Sequence, residues 1–321
     1  MPAPPLRIVM VGTKDFALPT FQHLLDVGFH FVALVTQPER PQGRKQELIP
    51  SAIKQAALAR GIPVEQPESI NEPQFVERLR RYHPDILVTA AYGQILSPEV
   101  LSVPRLGGIN LHGSILPAYR GAAPVARAIE RGETETGVTV IQMTPKIDAG
   151  GILSVARTPI DPDETAGALE ARLAVLGGPL VARALGELAV GRAAIIPQDK
   201  ARVSRAAKLT KDDGRIDWSR PAREIHNLVR AMQPWPAAHT HWQRGSDPSA
   251  VVRVIVHKTS VADRQGEPGS ILDSDPPHFL VAAGSGAIQL HRVQLPGKKS
   301  LDLPDFLRGH PLAVGRFTTS G

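Results

Sequence analysis

The chain has 321 residues, 42% of them hydrophobic, with a net charge of +6 and a pI near 9.8. Such a composition builds a sizeable core and excludes an intrinsically disordered chain. Cysteine is absent, which excludes disulfides and thiolate metal ligands, while the mild excess of base suits a polyanionic partner without requiring one.

The opening MPAPPLRIVMVG has no charged segment ahead of a long apolar stretch, and its apolar run stops at Gly12-Thr13. A soluble, cytoplasmic, monomeric chain with no membrane contact is expected. Residues 6–13 (LRIVMVGT) predict a buried strand. Phe16, Phe21, Leu24 and Leu25 then recur at helical spacing, and Gly28 closes that helix. FHFVALVT at 29–36 is the next strand, a helix around Ile53–Leu58 stops at Gly61, and IPVEQ is a short strand. A charged helix is expected over 72–82, followed by DILVTAAY at 85–92, a strand apolar enough to need cover on both faces. GINLH at 108–112, a helix at 122–132, strands at 137–143 and 151–160, and an Ala/Leu-rich helix over 163–190 complete the pattern. The alternation predicts an α/β domain: a Rossmann-like, mostly parallel sheet with helices on both faces. Residues 195–211 carry five Lys/Arg against one Asp without periodicity and read as an exposed basic linker. Beyond it one helix, PAREIHNLVRAM, and five or six short strands with Gly/Pro turns predict a small OB-like β-barrel.

Ligands of such a sheet sit beyond the carboxyl ends of its strands. That argument puts Gly12–Asp15, Ala91–Leu96, Asn110–His112 and Asp148 on one rim. Asn110 and His112 are two apart on a strand and share a face, with Ile109 and Leu111 turned to the core. An acid such as Asp148 beside an imidazole favours its charged form, and an amide beside them can donate to a developing oxyanion. Such a set suits attack on a carbonyl without a protein nucleophile. The plainer reading makes His112 a hydrogen-bonded structural residue and Asp148 a turn residue before Ala-Gly-Gly; spacing alone does not decide between them. Ser114 lies in HGS rather than a GxSxG elbow. No HxxxH or HxxE pattern adds a third ligand to His112 and Asp148, so no metal is expected. VGTKDF has one glycine where a dinucleotide fingerprint needs three, so a nicotinamide cofactor is not expected either.

HGSILPAYRGAAP, with Asn two residues before the His and IDAGG about 36 residues after it, resembles the 10-formyltetrahydrofolate-dependent formyltransferases. RIVMVGTKDFA, TQPERPQGR, AAYGQIL and GVTVIQMTPKIDAGGIL extend the likeness. AAKLTKDDGRIDW and QPWPAA are similar to the branch that formylates initiator methionyl-tRNA. The resemblance implies a catalytic domain over 1–194, a linker over 195–210 and a tRNA-binding barrel over 211–321. It implies Asn110, His112 and Asp148 as the catalytic trio, with 10-formyltetrahydrofolate as co-substrate and initiator methionyl-tRNA as acceptor. Ser114, Ile115, Leu116 and Pro117 match the folate-binding stretch; Gln94, Ile95 and Leu96 match a segment whose backbone grips the pterin. For Ile95 and Leu96 the competing expectation is ordinary core. Arg44 and Lys45, in the loop 36–50, and Arg202, Arg205 and Lys208, in the linker, are the candidate tRNA contacts. The chain departs from the pattern at Lys14, at Ala118, and at Asp148-Ala149-Gly150-Gly151, where Asp-Thr-Gly-Asp is usual. The alternatives are a sister enzyme acting on glycinamide ribonucleotide or a sugar-nucleotide amine, a formyltetrahydrofolate hydrolase, and a non-catalytic RNA-binding protein.

Overall fold

The computed structural model describes residues 5–41, 48–244, 251–274, 278–309 and 315–319. They fall into two units: Met1–Pro124 with Glu135–Pro159 and Glu170–Ala207, and Val125–Thr134 with Ile160–Leu169 and Lys208–Gly321.

In the first unit β1 (Arg7–Gly12) is buried from Ile8 onward, and α1 (Ala17–Asp26) turns Ala17, Thr20, Phe21 and Leu24 inward. β2 (His30–Val35), α2 (Ala52–Ala59) and β3 (Val64–Glu65) follow. α3 (Pro73–Arg81) begins with a proline, whose missing N–H costs nothing there, and ends in arginines that suit the negative end of the helix dipole. β4 (Ile86–Ala90) is buried at every residue. α4 (Pro98–Ser102), capped by the Ser97 hydroxyl, lies between β4 and β5 (Gly108–His112). β6 (Arg120–Gly121) is followed by α5 (Pro124–Glu130), which falls in the second unit from Val125 onward; β7 (Glu135–Gln142), β8 (Ile152–Pro159), most of α6 (Ala166–Ala189) and β9 (Arg205–Ala206) complete the first unit. The strand order is β3-β2-β1-β4-β5-β7-β8, with β3 through β5 parallel in that order. The order reverses between β1 and β4, which is where an open α/β sheet leaves a crevice. Gly12 sits at that point; a Cβ on it would lie 2.9 Å from the Ala90 carbonyl oxygen.

β7 and β8 run antiparallel to their neighbours. Only residues 143–151 separate β7 from β8, too short for the crossover that parallel strands need. This corrects the rim argument for Asp148. Gln142 at the end of β7 pairs with Ile109 near the start of β5, and Thr139 pairs with His112. The turn after β7 therefore leaves the sheet at the edge opposite the carboxyl ends of the parallel strands. Asp148 meets His112 because that turn doubles back along β5. The stretch read as a linker is also tied down. β9 pairs with β6, and Ile196 bridges Ile152. These local pairings carry no periodicity for a sequence reading to detect.

In the second unit α7 (Ala222–Ala231) lies among β10 (Ala238–Arg244), β11 (Val251–Ala262), β12 (Ile271–Asp273), β13 (Leu280–Ala282), β14 (Ala287–Gln294), β15 (Leu301–Asp302), α8 (Leu303–Gly309) and β16 (Gly315–Thr318). The antiparallel order is β12-β13-β14-β11-β10-β16. A bridge from Ser270 to Arg316 brings its ends together, giving a nearly closed, OB-like barrel. Its core holds Trp218, Phe279, Phe306 and Phe317. Phe317 packs edge-on to Phe279 with ring centroids 6.1 Å apart, and tilted against Trp218 at 5.7 Å. Each such aromatic pair contributes about 0.5–1.5 kcal/mol beyond its burial. Among the described residues no helix is long and apolar enough to cross a membrane.

Candidate active site

Leu111 packs against α6, where a Cβ on Gly177 would fall 2.2 Å from the Leu111 side chain. Strand alternation then turns Asn110 and His112 to the other face of the sheet. His112, 5% exposed, is held on both sides of its ring. Nε2 lies 2.9 Å from the Tyr119 carbonyl oxygen, and Nδ1 lies 3.5 Å from Asp148 Oδ2. The first is a hydrogen bond; the second is a longer electrostatic contact. A carbonyl only accepts, so Nε2 carries a proton. Asp148 Oδ2 also accepts from the Gly121 N–H at 2.9 Å. Thr89 Oγ1 donates to Asn110 Oδ1 at 2.7 Å, which fixes the amide and leaves its Nδ2 hydrogens to point elsewhere. His112 and Asp148 therefore meet, while Asn110 shares the strand face of His112 and has the least committed donor.

The backbone around this cluster is strained. Tyr119 has φ +62° and Asp148 has φ +50°, both non-glycine residues in the left-handed region. Such conformations cost about 1–3 kcal/mol each and persist only where the surroundings hold them. Gln198 does much of the holding. Its Nε2 donates to the Asp148 carbonyl at 2.8 Å and to the Gly150 carbonyl at 2.7 Å. Its Oε1 accepts from Arg120 Nη2 at 2.7 Å and Nε at 3.0 Å. Ser204 supports the facing turn: its hydroxyl accepts from the Tyr119 N–H and its carbonyl from the Arg120 N–H, both at 2.9 Å. Thr89, Tyr119, Arg120, Gln198 and Ser204 escaped the sequence reading. Arg120 had a signal, being inside the AYRG motif; Gln198 and Ser204 lay in a stretch without periodicity. Gln198→Glu turns two donated bonds into carboxylate–carbonyl repulsion. It is expected to lower kcat about 10- to 100-fold with KM for either substrate within about twofold; steady-state kinetics check the split.

The remaining candidates are distributed as follows. Ser114 is fully buried, its hydroxyl donating to the Ala118 carbonyl at 2.7 Å, and its own carbonyl accepts from Thr139 Oγ1 at 2.6 Å. Leu116 is buried and its N–H donates to Thr139 Oγ1 at 3.1 Å; Ile115 and Pro117 are half-buried. The stretch 114–118 is thus a turn bound to itself and to β7, with Ile115, Pro117 and Ala118 half-buried. Gln94 accepts from the Ile70 N–H at 2.8 Å and donates to the Glu68 carbonyl at 2.9 Å, so it anchors its loop with its side chain. Ile95 is 58% exposed and not core, whereas Leu96 is 3% exposed and is core. Just before them Tyr92 is buried, and burial pushes its phenol up to about 12, so it stays neutral at ordinary pH. Arg202, Arg205 and Lys208 are exposed. Arg44 and Lys45 lie outside the described residues. No group of three metal-binding side chains occurs among the described residues.

The family profile described as formyl transferase matches residues 6–185, and that of the formyl transferase C-terminal domain matches 208–311. A methionyl-tRNA formyltransferase of Stutzerimonas stutzeri is 44% identical over 301 residues, 94% of either chain. One of Moorella thermoacetica is 40% identical over 319 residues, 97% of this chain and 98% of its own. The chain belongs to the methionyl-tRNA formyltransferase family. Among solved structures it is similar to WlaRD, a sugar 3N-formyl transferase crystallised with dTDP and 5-N-formyl-THF. The TM-score is 0.65 at 18% identity, covering 92% of this chain and 100% of that one. That likeness concerns the fold alone. In methionyl-tRNA formyltransferase terms, the first matched region carries Asn110, His112 and Asp148, and it ends before Gln198 and Ser204. The segment bracing the trio thus lies between the two matched regions.

Proposed function

We propose that this chain transfers the formyl group of 10-formyltetrahydrofolate to the α-amine of methionine on initiator tRNA. The observation that supports the reading is the meeting of His112 with Asp148, with Asn110 on the same strand face as His112, in a chain of this family. The neutral amine attacks the formyl carbon; its aminoacyl ester keeps its basicity low. A C–N bond forms to the methionine nitrogen, the bond to the folate nitrogen breaks, and the proton lost by the amine ends on that folate nitrogen. As the formyl oxygen gains charge, Asn110 Nδ2 donates to it. His112 joins by sharing its Nε2 proton between the oxyanion and the Tyr119 carbonyl. Hydrogen bonds of this kind commonly tighten only once substrate is bound. Asp148 steadies the ring from the Nδ1 side while the proton moves. The backbone of 94–96 and the surfaces of Ile115 and Pro117 are the groups suited to holding the folate, with exposed Ile95 offering an apolar contact to a flat ring. No metal has a role in this scheme.

Arg44, Lys45, Arg202, Arg205 and Lys208 are proposed to meet tRNA phosphates, which makes binding salt-dependent. Arg44→Ala is expected to raise KM for tRNA with little change in kcat; unchanged constants would return that loop to an ordinary solvated one. The deciding experiment measures formyl transfer to charged initiator tRNA, alongside deformylation of the folate without tRNA. Transfer that depends on tRNA supports the proposal. Equal loss of formyl with and without tRNA would make the protein a hydrolase.

A further inference from the structure

The second unit contains a cavity of about 320 Å³ that has no part in the chemistry above. Its floor is one face of α7, where His226, Val229 and Arg230 sit at helical spacing, and its walls come from β11 and β14. Arg230 is 7% exposed, yet none of its hydrogen bonds goes to a carboxylate. Nη1 reaches the carbonyls of Asp161 and Glu164 at 3.2 Å each, Nη2 reaches Asn227 Oδ1 at 2.9 Å, and Nε is buried with no hydrogen-bond partner. The Asp163 and Glu164 carboxylates favour its charge from nearby, but a buried cation whose own hydrogen bonds go to neutral groups is costly unless an anion joins it directly.

The wall repeats the theme. Lys258 and Arg292 are direct cross-strand partners on β11 and β14, an arrangement that like charges disfavour. The β11 register slips on both sides of Lys258, and bulges of this kind re-aim a side chain. Besides Glu164, whose charge also acts on Arg230, two carboxylates lie nearby. Asp302 pairs with Arg292 at 2.9 Å and Asp163 approaches His226 at 3.5 Å, but their side chains are 62% and 83% exposed, turned largely to water. His226 adds no charge of its own: burial pushes its pKa down, and its ring nitrogens face Thr259 Oγ1 at 3.0 Å and the Pro162 carbonyl at 3.3 Å.

We infer that this cavity is a binding site for a phosphate group, with Arg230 at its base and Lys258 and Arg292 at its mouth. The phosphate comes either from the backbone of a bound tRNA or from a free phosphorylated molecule. The site stands whether or not the chain formylates tRNA, because it uses none of the residues of the proposed reaction. The test uses the full chain and the double variant Lys258→Gln/Arg292→Gln, whose exposed side chains can be changed without opening the core; circular dichroism checks that the fold is kept. Inorganic phosphate is titrated into each protein and followed by phosphorus NMR line broadening. Binding of tRNA is then measured across a salt series. Saturable phosphate binding by the wild type, weakened at least about tenfold in the double variant, supports the site. If the variant's tRNA salt slope also falls by about one to two, the phosphate belongs to the nucleic acid; an unchanged slope assigns it to a free phosphorylated molecule. Absence of saturable binding at millimolar phosphate, or equal binding by both proteins, overturns the inference. Formyl transfer measured on the same two proteins keeps this outcome separate from that of the proposed reaction.

Discussion

His112→Ala lowers kcat for formyl transfer by roughly 10³- to 10⁴-fold while the Kd for initiator tRNA stays within about twofold. The expectation follows from what the ring does. It is 5% exposed, bound at Nε2 to the Tyr119 carbonyl and faced at Nδ1 by Asp148. Removing it takes away the donor proposed to meet the developing charge and takes from Asp148 its imidazole neighbour across the turn. The partners of the ring are Tyr119 and Asp148 rather than Arg202, Arg205 or Lys208, so affinity is spared. Pre-steady-state transfer at saturating tRNA, set beside filter binding, separates the two quantities. A variant with near-normal kcat would remove His112 from the mechanism and leave it a buried structural histidine. His112→Gln is the useful companion, because a side-chain amide keeps a hydrogen bond to Tyr119 but cannot take up or pass on a proton.

The second large effect comes from a residue with no functional group. Gly150→Ala would place a methyl 1.7 Å from the Gln142 carbonyl oxygen, so the turn has to move. That turn positions Asp148, and the Gly150 carbonyl is one of the two that Gln198 holds. Displacing a reacting constellation by about 1 Å costs on the order of 100-fold in rate. We expect kcat to fall by at least about that factor, with the midpoint of thermal unfolding lowered by a few degrees rather than the fold lost. Gly186→Ala is the control. Nothing lies within 4 Å of a Cβ there, and the site is inside α6, where Ala is favoured over Gly by about 1 kcal/mol. It should keep full activity and gain a little stability. Full activity in Gly150→Ala would mean that the turn carrying Asp148 tolerates movement, and that the carboxylate does not need the place it holds.

The elements of the first unit were legible because hydrophobic periodicity and glycine punctuation are local signals. The strand ending at Gly12, the buried β4 and the Ala/Leu-rich α6 all follow from them. Segments without such a signal escaped: α4 is a single capped turn, β6 and β9 are two-residue pairings, and α8 and β16 close the barrel in a stretch where no element was expected. The same division holds in the site. Asn110 and His112 announce themselves by sharing a strand face, and Asp148 by its resemblance to a known turn. Gln198 could not, because an isolated Gln in a basic stretch is chemically ordinary until Arg120, Asp148 and Gly150 are known to surround it.

By its own order of residues, then, the chain determined an alternating α/β unit followed by a β-rich one, the identity of an amide, an imidazole and an acid, and the absence of any cysteine chemistry. Tertiary structure alone decided that β7 runs antiparallel to β5, that the turn behind it folds back so that Asp148 faces His112, and that Gln198 and Ser204 brace the strained turns on either side. The physical reason is range: periodicity and turn chemistry act over a few residues, whereas strand direction and the meeting of Gln198 with Asp148, 50 residues apart in sequence, depend on which surfaces the whole sheet leaves to be covered.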